Sequence, residues 1–378
     1  MRYFILAGEP SGDLHGSNLI RSLLNTDPGA EIECWGGDMM KEAGGKLMKH
    51  YRETAFMGAW EVLVNIRSVM SNFDVCRRQI ADFKPDVAIL IDYPGFNLRI
   101  AKYAKGLGIK VFYYISPKFW AWREARVELV KKYVDRMYII FPFEVGFYRK
   151  HGYEVRYLGN PLVDHTEAFR REAGDVKMVR ETLGLDNRPV IALLSGSRQQ
   201  EVKHILPEMV KVANSFPDYQ FVVAAVAHLP AELYREITAP FPVKTVTGKT
   251  YELLTVAEAS LVTSGTATLE AALFNVPQVV CYKTSAFTFK LSMMFLKVRF
   301  ISLVNLIMDR EIVTELVQDK LNEISLHREL SLILRSGYKH QVMIENYTVL
   351  RLEMGGAGAS SRVAEDMVSS LIGLQAGS

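Results

Sequence analysis

The sequence predicts two successive α/β domains, each built on a doubly wound parallel sheet. Three observations carry that expectation. Short, continuously apolar runs alternate with helix-like segments, as strands covered on both faces do. The alternation halts in a polar, charge-rich stretch over residues 160–181 and begins again at Val190. A chain of 378 residues also exceeds what one hydrophobic core usually serves. The domains are therefore expected at residues 1–165 and 166–339, followed by closing helices over 340–378.

In chain order, residues 3–7 read as a strand, Gly8-Glu9-Pro10-Ser11-Gly12-Asp13 as a loop, and 14–24 as a helix with the stripe Leu19, Ile20, Leu23, Leu24. Strands follow at 86–92 and 110–116, on either side of a helix over about 98–107, and at 136–140 and 155–158. In the second half, strands are predicted at 190–194, 220–225, 243–246, 259–262 and 276–282, with a helix over 200–215. Between the last two strands, Ser264-Gly265-Thr266 is a tight turn and residues 267–274 a helix. Beyond Glu323 the chain reads as helical, and Gly355-Gly356-Ala357-Gly358 breaks its last two helices.

Composition removes several function classes. With 49% hydrophobic and 23% charged residues the chain is globular, and a net charge of +3 lacks the basic excess of a nucleic-acid binder. Its three cysteines are far apart, without a CxxC pair, which suits a reducing cytoplasm and neither disulfides nor a zinc site. No uninterrupted apolar run reaches the ~18 residues of a membrane span. At the start, Glu9 and Asp13 come too soon for a secretory leader, so residues 3–7 are the first strand.

Open α/β sheets bind ligands at the carboxyl ends of their strands, which singles out four loops. After the fourth predicted strand of the second half comes Ser264-Gly265-Thr266 followed by Ala267 and Thr268. This strand, turn and helix start offers unpaired N–H groups to an anion such as phosphate. Glu270, one turn further on, can accept hydrogen bonds from a diol such as ribose. The alternative is an ordinary helix cap. Ser195-Gly196-Ser197-Arg198 pairs small residues with a guanidinium that matches phosphate oxygens bidentately, although Arg198 could instead simply pair with Glu201. Two phosphate-suited turns and a ribose-competent carboxylate together favour a nucleoside diphosphate. In the first half, Asp92 ends an apolar strand and is a candidate general base, or a cap for the turn after it. Glu9 and Asp13 lie in the first loop, where capping is the competing role.

Other familiar motifs are missing. Gly248-Lys249-Thr250 lacks the earlier P-loop glycine, since Val243 stands there, and neither half opens with GxGxxG. There is no GxSxG or HExxH, and no Asp-x-Asp pair to hold a metal-bound nucleotide sugar. A transfer without metal or other cofactor is expected.

Seven stretches, in order through nearly the whole chain, resemble the lipid-A-disaccharide synthase family of bacterial glycosyltransferases. They are the loop from Gly8 to Asp13; Met57-Gly58-Ala59-Trp60-Glu61-Val62; Ile91-Asp92-Tyr93-Pro94-Gly95-Phe96-Asn97; Ser116-Pro117-Lys118-Phe119-Trp120-Ala121-Trp122-Arg123; Gly196-Ser197-Arg198; the stretch from Ser264 to Glu270; and Asn305-Leu306. The resemblance implies a GT-B-type fold of two Rossmann-like domains facing a cleft, acceptor-binding first and UDP-sugar-binding second, with the helices of 340–378 returning to the first. It further implies transfer of 2,3-diacylglucosamine from UDP-2,3-diacylglucosamine to 2,3-diacylglucosamine 1-phosphate, with inversion, to form the β-1,6 disaccharide 1-phosphate and UDP.

By the same resemblance Asp92 is the base for the acceptor 6-hydroxyl and Glu9 acts beside it. Gly196, Ser197, Arg198, Ser264, Gly265, Thr266, Ala267, Thr268, Glu270 and Asn305 hold the nucleotide sugar. Ser11, Met57, Glu61, Asn97, Ser116, Trp120, Trp122 and Arg123 serve the acceptor and its acyl chains. Ser195 and Val304 stand where the family commonly has proline.

Acyl chains need an apolar surface. Residues 57–73 carry Trp60, Val62, Leu63, Ile66, Val69 and Met70, which either take an acyl chain or pack in the core. Residues 287–300 interleave Phe289, Met293, Met294, Phe295 and Leu296 with Lys290, Lys297 and Arg299, which suits peripheral docking on an anionic inner-membrane surface from the cytoplasm, with a buried helix as the alternative. The glycine-rich break before the last helix leaves room for a homodimer that exchanges it. Two other readings are a UDP-sugar enzyme, epimerase or glycosyltransferase, with a soluble substrate, and a non-catalytic nucleotide-sugar-binding protein.

Overall fold

The computed structural model describes residues 1–53, 66–121, 124–285, 289 and 299–376. They form two units, Met1–Asp164 with Gly355–Ser378, and His165–Met354.

Among the described residues, the first unit holds β1 (Arg2–Ala7), β2 (Glu31–Gly36), β3 (Lys46–His50), β4 (Val87–Ile91), β5 (Lys110–Tyr114), β6 (Arg136–Ile139) and β7 (Arg156–Tyr157). They make one parallel sheet in the order β3-β2-β1-β4-β5-β6-β7. The apolar runs behave as two-sided strands should. Phe4, Leu6, Ala88, Leu90, Val111 and Tyr113 enter one core, while Tyr3, Ile5, Ala7, Ile89, Ile91 and Phe112 enter the other. Neither β2 nor β3 is announced by the sequence. Glu31 and Glu33 interrupt the first, and the edge strand β3 carries Lys46 and Lys49, charges that an edge tolerates and a central strand does not. The helices of this part are α1 (Pro10–Thr26), α2 (Asp38–Glu42), α3 (Ile66–Phe83), α4 (Pro94–Gly106), α5 (Val127–Tyr133) and α6 (Phe143–Lys150). After them come α7 (Pro161–Glu172), within which the division of the chain falls, and α8 (Val176–Thr182).

In the second unit β8 (Val190–Leu194), β9 (Gln220–Ala225), β10 (Val243–Thr247), β11 (Ala257–Thr263), β12 (Gln278–Tyr282) and β13 (Thr314–Val317) form a parallel sheet in the order β10-β9-β8-β11-β12-β13. Its helices include α9 (Gln199–Lys211), α10 (Ala231–Thr238), α11 (Thr250–Val256), α12 (Thr266–Leu273), α13 (Leu303–Met308), α14 (Glu323–Ile333) and α15 (Lys339–Glu353). The short strand β13, half polar in sequence, is the one missed here.

The last helices divide differently from the expectation of a return from residue 340. α15 stays with the second unit, and only α16 (Ala359–Ala376) joins the first. Partner surfaces explain the split. Met343, Tyr347 and Leu350 of α15 are buried, the Tyr347 hydroxyl accepts from Gln278 Nε2 at 3.1 Å, and Arg351 donates to the Leu273 carbonyl at 2.7 Å. From α16, Val363, Ala364, Met367 and Leu371 fill the core under β1 and β4. Each larger side chain among them contributes about 1.5–3 kcal/mol by burial, as an upper estimate.

The entry of α16 is held by a distant carboxylate. Asp164 accepts from Gly358 N at 2.6 Å, Ala359 N at 3.1 Å and Ser360 N at 3.0 Å, supplying the cap that this helix start lacks locally. Asp164→Ala should lower the unfolding free energy by about 2 kcal/mol, the upper range for lost caps, because three N–H groups lose their acceptor at once. Urea unfolding followed by circular dichroism reads the change; an unaltered midpoint would mean that the capping bonds contribute nothing.

Candidate active site

Where strand order reverses, the loops leaving neighbouring strands diverge to opposite faces and open a crevice. The first sheet reverses between β1 and β4, and the second between β8 and β11. Each of the four loops singled out in the sequence leaves one of these four strands. Glu9 follows β1 and Asp92 follows β4; the residues 195–198 follow β8 and 264–266 follow β11.

At the first reversal, the chain bends sharply as it leaves β4. Asp92 and Tyr93 have φ of 43° and 47°, both left-handed, a conformation that costs a bulky residue on the order of 1 kcal/mol. Support comes from beneath. Asn97, fully buried, donates from Nδ2 to the carbonyls of Ile91 at 3.1 Å and Asp92 at 2.8 Å, and the Tyr113 hydroxyl donates to the same Asp92 carbonyl. Gly8 is the complement on β1, since a Cβ there would lie 2.5 Å from the Tyr93 ring. The Asp92 side chain is thereby left half-buried at the strand end.

Burial is the main cause that pushes the Asp92 carboxyl up to about 6, and the negative charge of Glu9 adds to it; the Lys118 ammonium opposes both. A carboxylate so tuned is a stronger base than an exposed one yet stays ionised at neutral pH. Asp13, by contrast, is a structural cap. Buried, it accepts from Gly37 N at 2.7 Å and Met40 N at 3.0 Å, at the start of α2.

At the second reversal Gly196 has φ 103°, open to glycine at little cost, and a Cβ there would collide with Glu201. The Glu201 carboxylate accepts from the N–H groups of Ser197 at 3.1 Å and Arg198 at 3.2 Å, so those donors at the start of α9 are already engaged. Arg198 itself is 81% exposed and lies 3.8 Å from Glu201, a loose surface pair. Its guanidinium is thus the group of this loop that is ready for an anion. Gly265, with φ 157° and ψ −159°, turns the chain into α12, whose first N–H groups have no intrahelical partners. Thr268 donates its hydroxyl to the Gly265 carbonyl at 2.8 Å, and Ser264 donates its own to the Ile301 carbonyl at 2.7 Å. Glu270 accepts from the Tyr251 hydroxyl at 3.0 Å, and burial pushes its carboxyl up.

A family model described as lipid-A-disaccharide synthetase matches residues 3–362. The chain belongs to the lipid-A-disaccharide synthetase family. It is 37% identical to the lipid-A-disaccharide synthase of Myxococcus xanthus (strain DK1622), over 98% of this chain and 97% of that one. In fold it is similar to the UDP-GlcNAc 2-epimerase from Neisseria meningitidis, solved with UDP-GlcNAc (TM-score 0.67, 13% identity, 98% of this chain and 100% of that one). It is also similar to the calicheamicin glycosyltransferase CalG4 (TM-score 0.62, 15% identity, 99% of each chain). The two α/β units are of GT-B type; at these identities the structural likeness speaks for fold alone.

Several residues that the family resemblance offered as ligand contacts have their polar atoms committed elsewhere. Asn305 is fully buried. Its Nδ2 donates to the Val313 carbonyl at 2.9 Å and to Glu315 at 2.9 Å, and its Oδ1 accepts from Ile312 N at 2.8 Å and Val313 N at 3.1 Å. With every side-chain donor and acceptor taken, Asn305 has no polar atom left for a ligand. Asn97 likewise lies under Asp92. Ser116 is buried, its hydroxyl 2.6 Å from that of Tyr148, while Trp120 meets the Phe143 ring edge-on at 4.9 Å. Ser11 and Thr266 are exposed, and Ala267 is half-buried. Met57, Glu61, Trp122 and Arg123 lie outside the described residues, as do most of 287–300.

Three groups that bear on these residues carry little or no signal in the sequence. Lys118 bears on Asp92 by charge, although only its place in the Ser116–Trp120 stretch pointed to it. Glu144, buried, is pushed up to about 8, mainly by burial, and accepts from Phe141 N at 3.1 Å. Glu315 offered no signal in the sequence at all.

Proposed function

We propose that this chain transfers 2,3-diacylglucosamine from UDP-2,3-diacylglucosamine to the 6-hydroxyl of 2,3-diacylglucosamine 1-phosphate, with inversion, releasing UDP. One observation carries the reading beyond family membership: the base candidate and the anion-suited turns occupy the reversal points of their two sheets, where open α/β folds bind ligands. The fold likeness to epimerases does not favour the soluble-substrate reading.

In the reaction, Asp92 accepts the hydroxyl proton as that oxygen attacks the anomeric carbon from the face opposite the diphosphate. The carbon–oxygen bond to UDP breaks, and its electron pair leaves on a phosphate oxygen. Arg198 and the N–H groups at the start of α12 meet that charge, the task a metal performs elsewhere. Glu270 holds the ribose. Gly196, Ser197, Gly265 and Thr268 shape the turns that let the diphosphate approach the backbone. Among the described residues no helix is long and apolar enough to cross a membrane. The interleaved cations and apolar residues of 287–300 instead rest on the anionic inner-membrane surface, from which both lipid substrates are taken.

The test is a detergent-micelle assay that follows UDP and disaccharide together. Expected are equal amounts of both, dependence on the acylated acceptor, little product from deacylated glucosamine 1-phosphate, and no effect of EDTA. Epimerised UDP-sugar formed without acceptor, or no UDP release with the lipid acceptor, would overturn the reading.

A further inference from the structure

The turn proposed to hold the donor is tied to a carboxylate that no ligand need touch. Glu315, on β13, collects three N–H groups. Its Oε2 accepts from Ile301 N at 3.0 Å, and its Oε1 accepts from Ser302 N at 2.9 Å and from Asn305 Nδ2 at 2.9 Å. Ile301, held in this way, presents its carbonyl to the Ser264 hydroxyl at 2.7 Å. Two adjacent backbone N–H groups on one carboxylate fix the Ile301–Ser302 peptide, and that peptide fixes the rotamer of Ser264. The serine hydroxyl hydrogen is therefore committed to the Ile301 carbonyl.

We infer that Glu315 is the positioning residue of the donor turn: through Ile301 it latches Ser264 and so sets the placement of the N–H groups after Gly265 on which the diphosphate rests. This rests on the reading of that turn as the donor site. In it the Ser264 hydroxyl is a latch and not a phosphate donor. Glu315→Gln keeps the shape but replaces one accepting oxygen by an NH2 group, so at least one of the three N–H groups loses its acceptor.

The experiment is isothermal titration of UDP into the full chain. Unaltered protein is compared with Glu315→Gln, Ser264→Ala, the double variant, and Glu329→Gln. Glu329 is a control in the same unit, a buried carboxylate that accepts from Lys339 at 2.8 Å, Arg328 at 3.0 Å and Thr314 at 3.0 Å and has no bond to the turn. Glu315→Gln and Ser264→Ala should each weaken UDP binding about tenfold, the scale of one lost charge-assisted bond. The double variant should also lose about tenfold and not a hundredfold, because both changes release one latch. Glu329→Gln should lower the melting temperature and leave UDP affinity within about twofold. Undiminished UDP binding by folded Glu315→Gln, or a hundredfold loss in the double variant, overturns the latch. If Glu315→Gln does not fold, full UDP affinity in Ser264→Ala overturns it equally. If the unaltered protein does not bind UDP, the donor-site reading falls first and the latch with it.

Discussion

Asp92→Asn should lower kcat/KM by about a thousandfold, within the range of about 10²–10⁴ for a lost general base, and leave the fold intact. Asparagine is the substitution to use, because Asp92 sits at φ 43°, where asparagine is tolerated and alanine adds strain. The unaltered enzyme should gain kcat/KM as pH rises through about 6 and level off above, since the ionised carboxylate is the working form. Lys118→Ala removes a cation that holds this value down, so the midpoint should move up; Glu9→Gln removes an anion that pushes it up, so the midpoint should move down.

The same burial has a stability consequence whose sign is fixed. Well below pH 4 the carboxyl is neutral in folded and unfolded chains alike and no penalty arises. Between about 4 and 6 the unfolded chain ionises first, and above 6 the folded chain bears the full cost of a buried anion. Asp92→Asn should thus be more stable than the unaltered protein at pH 8, by at most about 3 kcal/mol, and nearly equal to it at pH 4. A folded variant with normal turnover would remove Asp92 from the chemistry altogether.

Arg198→Ala should cut kcat/KM for the UDP-sugar by about 10²–10³, the usual scale for one donor that stabilises developing negative charge. Most of that loss should fall on kcat, because the diphosphate carries more negative charge as it departs than when bound. The melting temperature should barely move, since the side chain is 81% exposed and its 3.8 Å pairing with Glu201 is worth little. Arg198→Lys should recover only part of the rate, as an ammonium cannot match two phosphate oxygens at once. Steady-state kinetics at varied donor concentration reads all three effects. Unimpaired turnover by Arg198→Ala would leave the diphosphate without its cation, and the site would have to lie elsewhere.

Much of this site is legible in the residues. The apolar strands announce where each sheet lies, and the glycines and small polar residues at 195–198 and 264–266 announce turns suited to an anion. What the residues do not disclose is which polar groups are already engaged. Ser264, Asn305, Asn97 and Ser116 all read as donors available to a substrate, and each is bonded within the chain. For Ser116 and Ser264 the partners, Tyr148 and Ile301, lie 32 and 37 residues away, beyond what a local pattern encodes. Glu201 was closer to hand: three positions after Arg198 at a helix start is the spacing of a capping carboxylate.

Taken alone, the chain's own order of apolar runs and turns determined two doubly wound sheets, because period-two burial on both faces and glycine at left-handed positions are local demands. Only the tertiary structure decided that α15 stays with the second sheet while α16 crosses to the first, and that Asp92 is the half-buried carboxylate at a reversal point. The reason is physical: a buried polar group or an apolar helix face must be satisfied by whichever surface meets it, and that surface is assembled from residues far away along the chain.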